Sequence, residues 1–216
     1  MRIRAEQYKN IRRHMLPGDI IAFSGRSLFS RFVKLATRSE VSHVGIVCIS
    51  DVCGNCGHTV EIMESVKEAV DPDTGQIITG VTRNRLSSRL RHYEGEMYWF
   101  QLSHDTRQAL DIPAAVQFLM SVHGLPYDMP QAVLSALDLL DNFPLKLTYA
   151  VQDFSAFFCS ELAAAALIAG GVLPSSVNAS EMTPVDLLRQ PVFFKHYYQL
   201  TGAHKPLKLT KRNTAK

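Results

Sequence analysis

Apolar positions along this chain follow two periods, and these place the elements before any chemistry is considered. The segment 5–14 is basic and reads as a helix, and the run Ile20-Ile21-Ala22-Phe23 puts a strand over 19–24. Leu28, Phe32 and Leu35 fall on one helical stripe, predicting an amphipathic helix over 27–37. β-rich runs follow at 43–50 and 59–64, then a turn-rich stretch at Asp71-Pro72-Asp73-Thr74-Gly75. A short helix fits 86–93 and a strand 97–102. A further helix begins near Pro113 and ends at Gly124, a residue suited to a helix C-terminus. The last strong helix runs from 159 to 169, closed by Gly170-Gly171, and the basic, polar stretch 204–216 reads as a frayed tail. Strands cluster early and in the middle with helices beside them, so the class is α+β, and no repeats are visible.

The strand at 59–66 carries its own chemical clue. Alternation puts Val60, Ile62 and Glu64 on one face and Thr59, Glu61 and Met63 on the other. A carboxylate on the apolar side of a strand is costly unless paired. Glu64 is therefore the expected partner of an imidazole on a neighbouring strand, and Glu61 the expected solvent-facing residue. A strand-end glutamate in water is the alternative.

Two more positions stand out. In Phe157-Phe158-Cys159-Ser160-Glu161-Leu162, followed by four alanines, Cys159 sits where an apolar run becomes a strong helix former. A thiol at a helix N-terminus feels the positive end of the macrodipole, which favours the nucleophilic thiolate. The ordinary alternative is a buried structural cysteine. His43, one of 8 histidines, opens the run Ser42-His43-Val44-Gly45-Ile46-Val47, where a strand mounts it rigidly as a general base. A satisfied core or surface histidine is the competing reading.

Composition narrows the class only a little. With 216 residues, 46% apolar, the chain can bury one sizeable core. A net charge of +3 and the absence of a recognition motif argue against nucleic acid as a partner. The first residues lack the apolar stretch of a secretory signal, and no run is long enough for a membrane span, so synthesis in the cytoplasm is expected.

Cys48, Cys53, Cys56 and His58 form a separate cluster. Three thiols and an imidazole in so short a stretch fit a tetrahedral zinc site. The cramped second pair fits a hairpin with free thiols better, and a redox pair is a third reading.

Five blocks in order carry a resemblance. They are Pro17-Gly18-Asp19-Ile20-Ile21; Leu35 to Gly45, with Ser42-His43-Val44-Gly45 at its end; Ile62-Met63-Glu64-Ser65-Val66; Gly124-Leu125-Pro126-Tyr127-Asp128; and Phe158-Cys159-Ser160-Glu161-Leu162. Together they resemble the circularly permuted branch of the NlpC-type papain-like cysteine hydrolases, most closely the YiiX-like proteins and more distantly the lecithin:retinol acyltransferase-like enzymes. The resemblance implies a small antiparallel sheet packed against helices, with the nucleophile at a helix N-terminus. It implies Cys159 as nucleophile, His43 as general base, Glu64 as the residue that orients His43, and the Cys159 backbone N–H as an oxyanion donor. Tyr127 would line the substrate cleft, its alternative being the anchor of a turn.

The implied layout is a basic helix in 1–16, a catalytic domain over 17–203 with an insertion at about 129–156, and the tail. Ala132, Val133, Ala136, Leu137, Leu139 and Leu140 make the insertion an apolar helix face, either packed on the core or forming a lid or acyl-binding wall. The implied reaction is hydrolysis of an amide or ester bond through an acyl-enzyme, with no cofactor. A lipid or thioester acyltransferase or lipase with the same triad is the alternative, and a non-catalytic binding protein on this scaffold the third. Substrates would be peptides, amides or acyl esters, with peripheral membrane contact left open. Some relatives carry export signals, so delivery to a cell wall or membrane by lysis or secretion stays open too.

Overall fold

A six-stranded antiparallel sheet, ordered β4-β3-β2-β1-β5-β6, organises the computed structural model, which describes residues 5–53, 57–70, 75–125, 155–203, 205–207 and 209. The strands are β1 (Ile20–Gly25), β2 (His43–Cys53), β3 (Gly57–Val70), β4 (Ile77–Arg85), β5 (Gly95–Phe100) and β6 (Tyr198–Gln199). The helices are α1 (Ala5–Ile11), α2 (Leu28–Ala36), α3 (Leu86–His92), α4 (His104–Ala109), α5 (Ile112–Ser121), α6 (Ser155–Ala169) and α7 (Pro184–Leu188). The α+β class read from the sequence is the one observed. Among the described residues no helix is long and apolar enough to cross a membrane.

Both faces of the sheet are covered, which explains why β1 reads as an unbroken apolar run and is buried at all six positions. On one face Ile20, Ala22, Val44, Ile46, Cys48 and Met63 pack with the Ala163, Ala166 and Leu167 side of α6 and with Leu119 of α5. On the other, Ile21, Phe23, Val47, Val60 and Ile62 pack with Tyr8, Met15 and Leu86. Asp19 fixes the entry to β1. Its fully buried carboxylate accepts from Trp99 Nε1 at 2.9 Å, Leu16 N at 3.0 Å and Leu102 N at 3.1 Å, and pairs with Arg107.

The structure departs from the sequence reading in several places. β4 is not anticipated by pattern, because Gly80, Thr82 and Asn84 are its buried positions and no apolar alternation marks it. Glu61 is not solvent-facing: it is 6% exposed and pairs with Arg83 at 3.2 Å and Arg85 at 3.7 Å. Alternation assigns a face correctly but cannot tell that a second layer covers it. The stretch read as a frayed tail is held at its start. Tyr98 OH donates to the Lys205 carbonyl, Leu207 N donates to Tyr197 OH, and Leu207 is buried. Most of the 129–156 insertion lies outside the described residues.

Candidate active site

His43 is the first residue of β2, beside Phe23 near the end of β1. Ser42 ties the two strands together there. Its N–H and hydroxyl donate to the Phe23 carbonyl at 2.9 and 3.2 Å, and its Oγ accepts from Gly25 N at 3.0 Å. The His43 ring rests against Phe23, centroids 5.1 Å apart. A histidine at the very start of a strand can reach around the sheet's end, so its ring meets groups from both layers.

From one layer comes Glu64, fully buried on β3, with Oε2 2.8 Å from His43 Nε2. From the other comes Cys159 on α6. Its sulfur accepts from the Val44 backbone N–H at 3.4 Å and shares a hydrogen bond with the His43 imidazole. Val44 lies outside the β2–β3 ladder, whose first pair is Ile46 with Met63, so its N–H is not committed to a strand partner on that side. Cys159, His43 and Glu64, drawn from three remote segments, thus meet in one hydrogen-bonded row.

Glu64 is held in turn by Arg89 of α3, a residue the sequence reading missed. Arg89 Nε lies 2.8 Å from Oε1, and Nη2 donates to Oε2 at 3.1 Å. The guanidinium also sits over the rings of Phe23 and Tyr93, at 5.3 and 5.5 Å. A signal was available: two glutamates on a buried strand, followed by Arg83, Arg85 and Arg89 in the next segments, call for pairing.

The electrostatics follow from these contacts. Burial pushes the His43 imidazole down, but the charge and hydrogen bond of Cys159, then those of Glu64, outweigh it and raise it to about 9. For Glu64, burial pushes the carboxyl up, and the charge of Arg89 followed by the contacts with His43 reverses this, leaving it below the usual carboxylate range. The pair therefore favours an imidazolium beside a carboxylate.

Two expectations about Cys159 are corrected. It is not at the N-terminus of its helix: α6 begins at Ser155, so Cys159 is the fifth residue. The first four N–H groups of a helix are the ones without an internal acceptor. The Cys159 N–H therefore falls inside the ladder and is not an oxyanion donor, and the macrodipole acts on this sulfur more weakly than at a first turn. The sulfur's backbone donor is the N–H of Val44 instead. Cys159 is also 1% exposed, with its polar contacts on the His43 side and the apolar core behind it.

The remaining candidates do not join this group. Tyr127 lies outside the described residues. Cys48 is buried in the core, its thiol donating to the Glu61 carbonyl at 3.4 Å, and burial pushes it up to about 12. His58 contacts Ser50 Oγ at 2.9 Å. Cys56 and the Cys53 side chain lie outside what is described. Among the described residues no group of three or more His, Cys, Asp or Glu side chains could hold a metal ion.

No protein family matches the chain, and no curated protein does. The chain is similar to a solved structure described as the metalloprotein yiiX from Escherichia coli O157:H7. The TM-score is 0.46 and the identity 19%, over 87% of this chain and 97% of that one. A likeness of this size transfers no residue role, so the site stands on its own geometry.

Proposed function

We propose that this chain is a cysteine-dependent hydrolase of amide or ester bonds on a permuted papain-like scaffold, working through Cys159, His43 and Glu64. One observation supports the reading above all: the row in which a single imidazole, His43, is hydrogen bonded both to the Glu64 carboxylate and to the Cys159 sulfur. A structural cysteine in a core needs neither an imidazole nor an orienting carboxylate.

In the reaction, His43 takes the thiol proton and the Cys159 sulfur attacks the substrate carbonyl carbon. The S–C bond forms as the carbonyl electron pair moves to oxygen. Collapse of the tetrahedral intermediate breaks the bond to nitrogen or oxygen, and His43 returns its proton to the leaving amine or alcohol. Water, deprotonated by the same imidazole, then releases the acyl group. Glu64 keeps the ring oriented and stabilises its charged form, and the Val44 N–H supports negative charge on sulfur. A sulfur only 1% exposed meets substrate through local motion, so the observed rate combines its accessibility with the reactivity of the thiol.

The test is competitive alkylation with iodoacetamide at neutral pH, read residue by residue by mass spectrometry. Cys159 labels faster than buried Cys48, and His43→Ala removes the preference. Equal labelling of the two cysteines in the wild type would overturn the proposal. A panel of small amides and acyl esters then identifies the bond that is cut, by release of amine or of fatty acid. Fatty-acid release alone would transfer the same chemistry to a lipase or acyltransferase.

A further inference from the structure

The loop that carries the chain from β1 to His43 contains α2, and α2 presents an unusual face to solvent. Leu28 is 82% exposed and Leu35 is 69% exposed. They lie seven residues apart, so they share one stripe, which also takes in exposed Arg31 and, just beyond the helix, exposed Arg38. Single exposed leucines are common and mean nothing by themselves. Here the arrangement is not random. Of the seven large apolar side chains that stand exposed among the described residues, four lie toward the end of the sheet where His43 starts: Leu28, Leu35, Ile77 and Leu125. Ile77 opens β4, and the turn at Leu125 is hydrogen bonded to Val81 of the same strand.

The charges on α2 itself are one-sided. α2 carries no acidic residue, and Arg26, Arg31, Lys34 and Arg38 fall within or beside it. Of the nearby carboxylates, Glu96 pairs with Arg26 at 3.1 Å and Glu40 with Lys205 at 2.8 Å, and Glu94 stands exposed just before β5. A second copy of the chain is a poor occupant of such a face, because a two-fold interface would set arginine against arginine. Leucines set among arginines match the boundary between acyl chains and anionic headgroups, where leucine enters the apolar layer and arginine stays at the charged surface.

We propose that α2, through Leu28 and Leu35 flanked by Arg31 and Arg38, docks this protein on an anionic phospholipid surface. Docking turns the His43 end of the sheet toward the lipid. The binding needs no chemistry at Cys159 and is measured apart from it.

The experiment is co-sedimentation of the full chain with vesicles of phosphatidylcholine, with and without one-third phosphatidylserine. The protein binds the anionic vesicles, and high salt weakens the binding. Replacing Leu28 and Leu35 together by serine lowers the partition by about tenfold or more. Replacing Arg31 and Arg38 together by glutamate lowers it about tenfold and leaves little salt dependence. All four side chains are exposed, so both variants keep the wild-type circular dichroism spectrum. Sedimentation velocity, run alongside, reports self-association. Absence of binding to anionic vesicles overturns the proposal. So does equal binding to neutral vesicles, unchanged binding by the leucine variant, or a wild-type dimer that the leucine variant breaks.

Discussion

Replacing Arg89 by methionine tests the electrostatic logic of the site most directly. The change keeps much of the side-chain volume and removes the guanidinium that pairs with Glu64 at 2.8 Å and covers Phe23 and Tyr93. Breaking a buried ion pair by deleting one partner typically costs about 3–5 kcal/mol, because the other charge is left in a poor solvent. Glu64 is fully buried, and among its influences burial is the largest and Arg89 the strongest opposing one. In the wild type its carboxyl lies below the ordinary value of 4.5, so its contribution to stability is present above that pH and is lost as pH falls through the folded value. In Arg89→Met the shift reverses, and the carboxyl rises above its unfolded value. The penalty then grows as pH rises, because ionised Glu64 is favoured only in the unfolded chain. Urea unfolding from pH 4 to 8 therefore shows variant and wild type closest in acid and furthest apart near neutrality. Alkylation of Cys159 slows in the same variant, since a Glu64 that has lost its guanidinium partner holds its charge less firmly and orients the imidazolium less. Arg89→Lys keeps a charge but loses the fork and the ring contacts, so it recovers part of both effects. If Arg89→Met had the wild-type unfolding midpoint across this range, the guanidinium would not be holding Glu64 and the reasoning would fail.

Three further outcomes are expected. Cys159→Ala removes the two strongest influences raising His43, so its imidazole falls from about 9, and the shift is read by NMR titration of the ring proton; stability that wild-type His43 contributes below its unfolded value of about 6.5, and loses as pH rises through about 9, shrinks in the variant. Gly45→Ala places a Cβ 3.1 Å from Ile62 Cδ1 and 3.3 Å from Glu64 Cβ; a shift of a few tenths of an ångström in Glu64 lowers the Cys159 labelling rate by about tenfold with a loss of stability of about 1–3 kcal/mol, and an unchanged rate would show that the carboxylate's position is not critical. Asp19→Ala strands Trp99 Nε1, two backbone N–H groups and Arg107, costing about 3–5 kcal/mol in urea unfolding.

How far this site could be read from sequence depended on whether each role was local. His43 and Glu64 were legible because a strand's two-residue period fixes a face, and a carboxylate on an apolar face demands a partner. Cys159 was legible as a residue and not as a position. The alanine run after it suggests a helix start there, because Phe157 and Phe158 are weaker helix formers than alanine. The helix begins earlier nonetheless, at Ser155. That four-residue difference moves the sulfur's backbone support from its own helix to the N–H of Val44. Arg89 was missed for a different reason: the need for an arginine was readable, but not which of Arg83, Arg85 and Arg89 meets Glu64. It belongs to α3, the next helix along the chain after His43's own approach helix but far from it in sequence, and only folding brings it over Glu64.

The two glutamates of β3 show why parity alone stops short. Glu61 and Glu64 point to opposite faces, and the rule that separates them made one a site residue and the other a solvated one. Both faces are in fact covered, and both carboxylates are answered by arginine: Arg83 and Arg85 for Glu61, Arg89 for Glu64. Pairing with arginine is thus the requirement of burial, common to both, and does not distinguish a site. The distinction lies in the second contact. Glu64 also holds an imidazole that is hydrogen bonded to a sulfur, whereas Glu61 ends in its arginines. On this argument Glu61→Gln lowers stability, by leaving Arg83 with a weaker partner, and spares the Cys159 labelling rate, while Glu64→Gln lowers both. Equal loss of labelling in the two variants would mean that the rate follows the stability of the sheet and not the His43 contact.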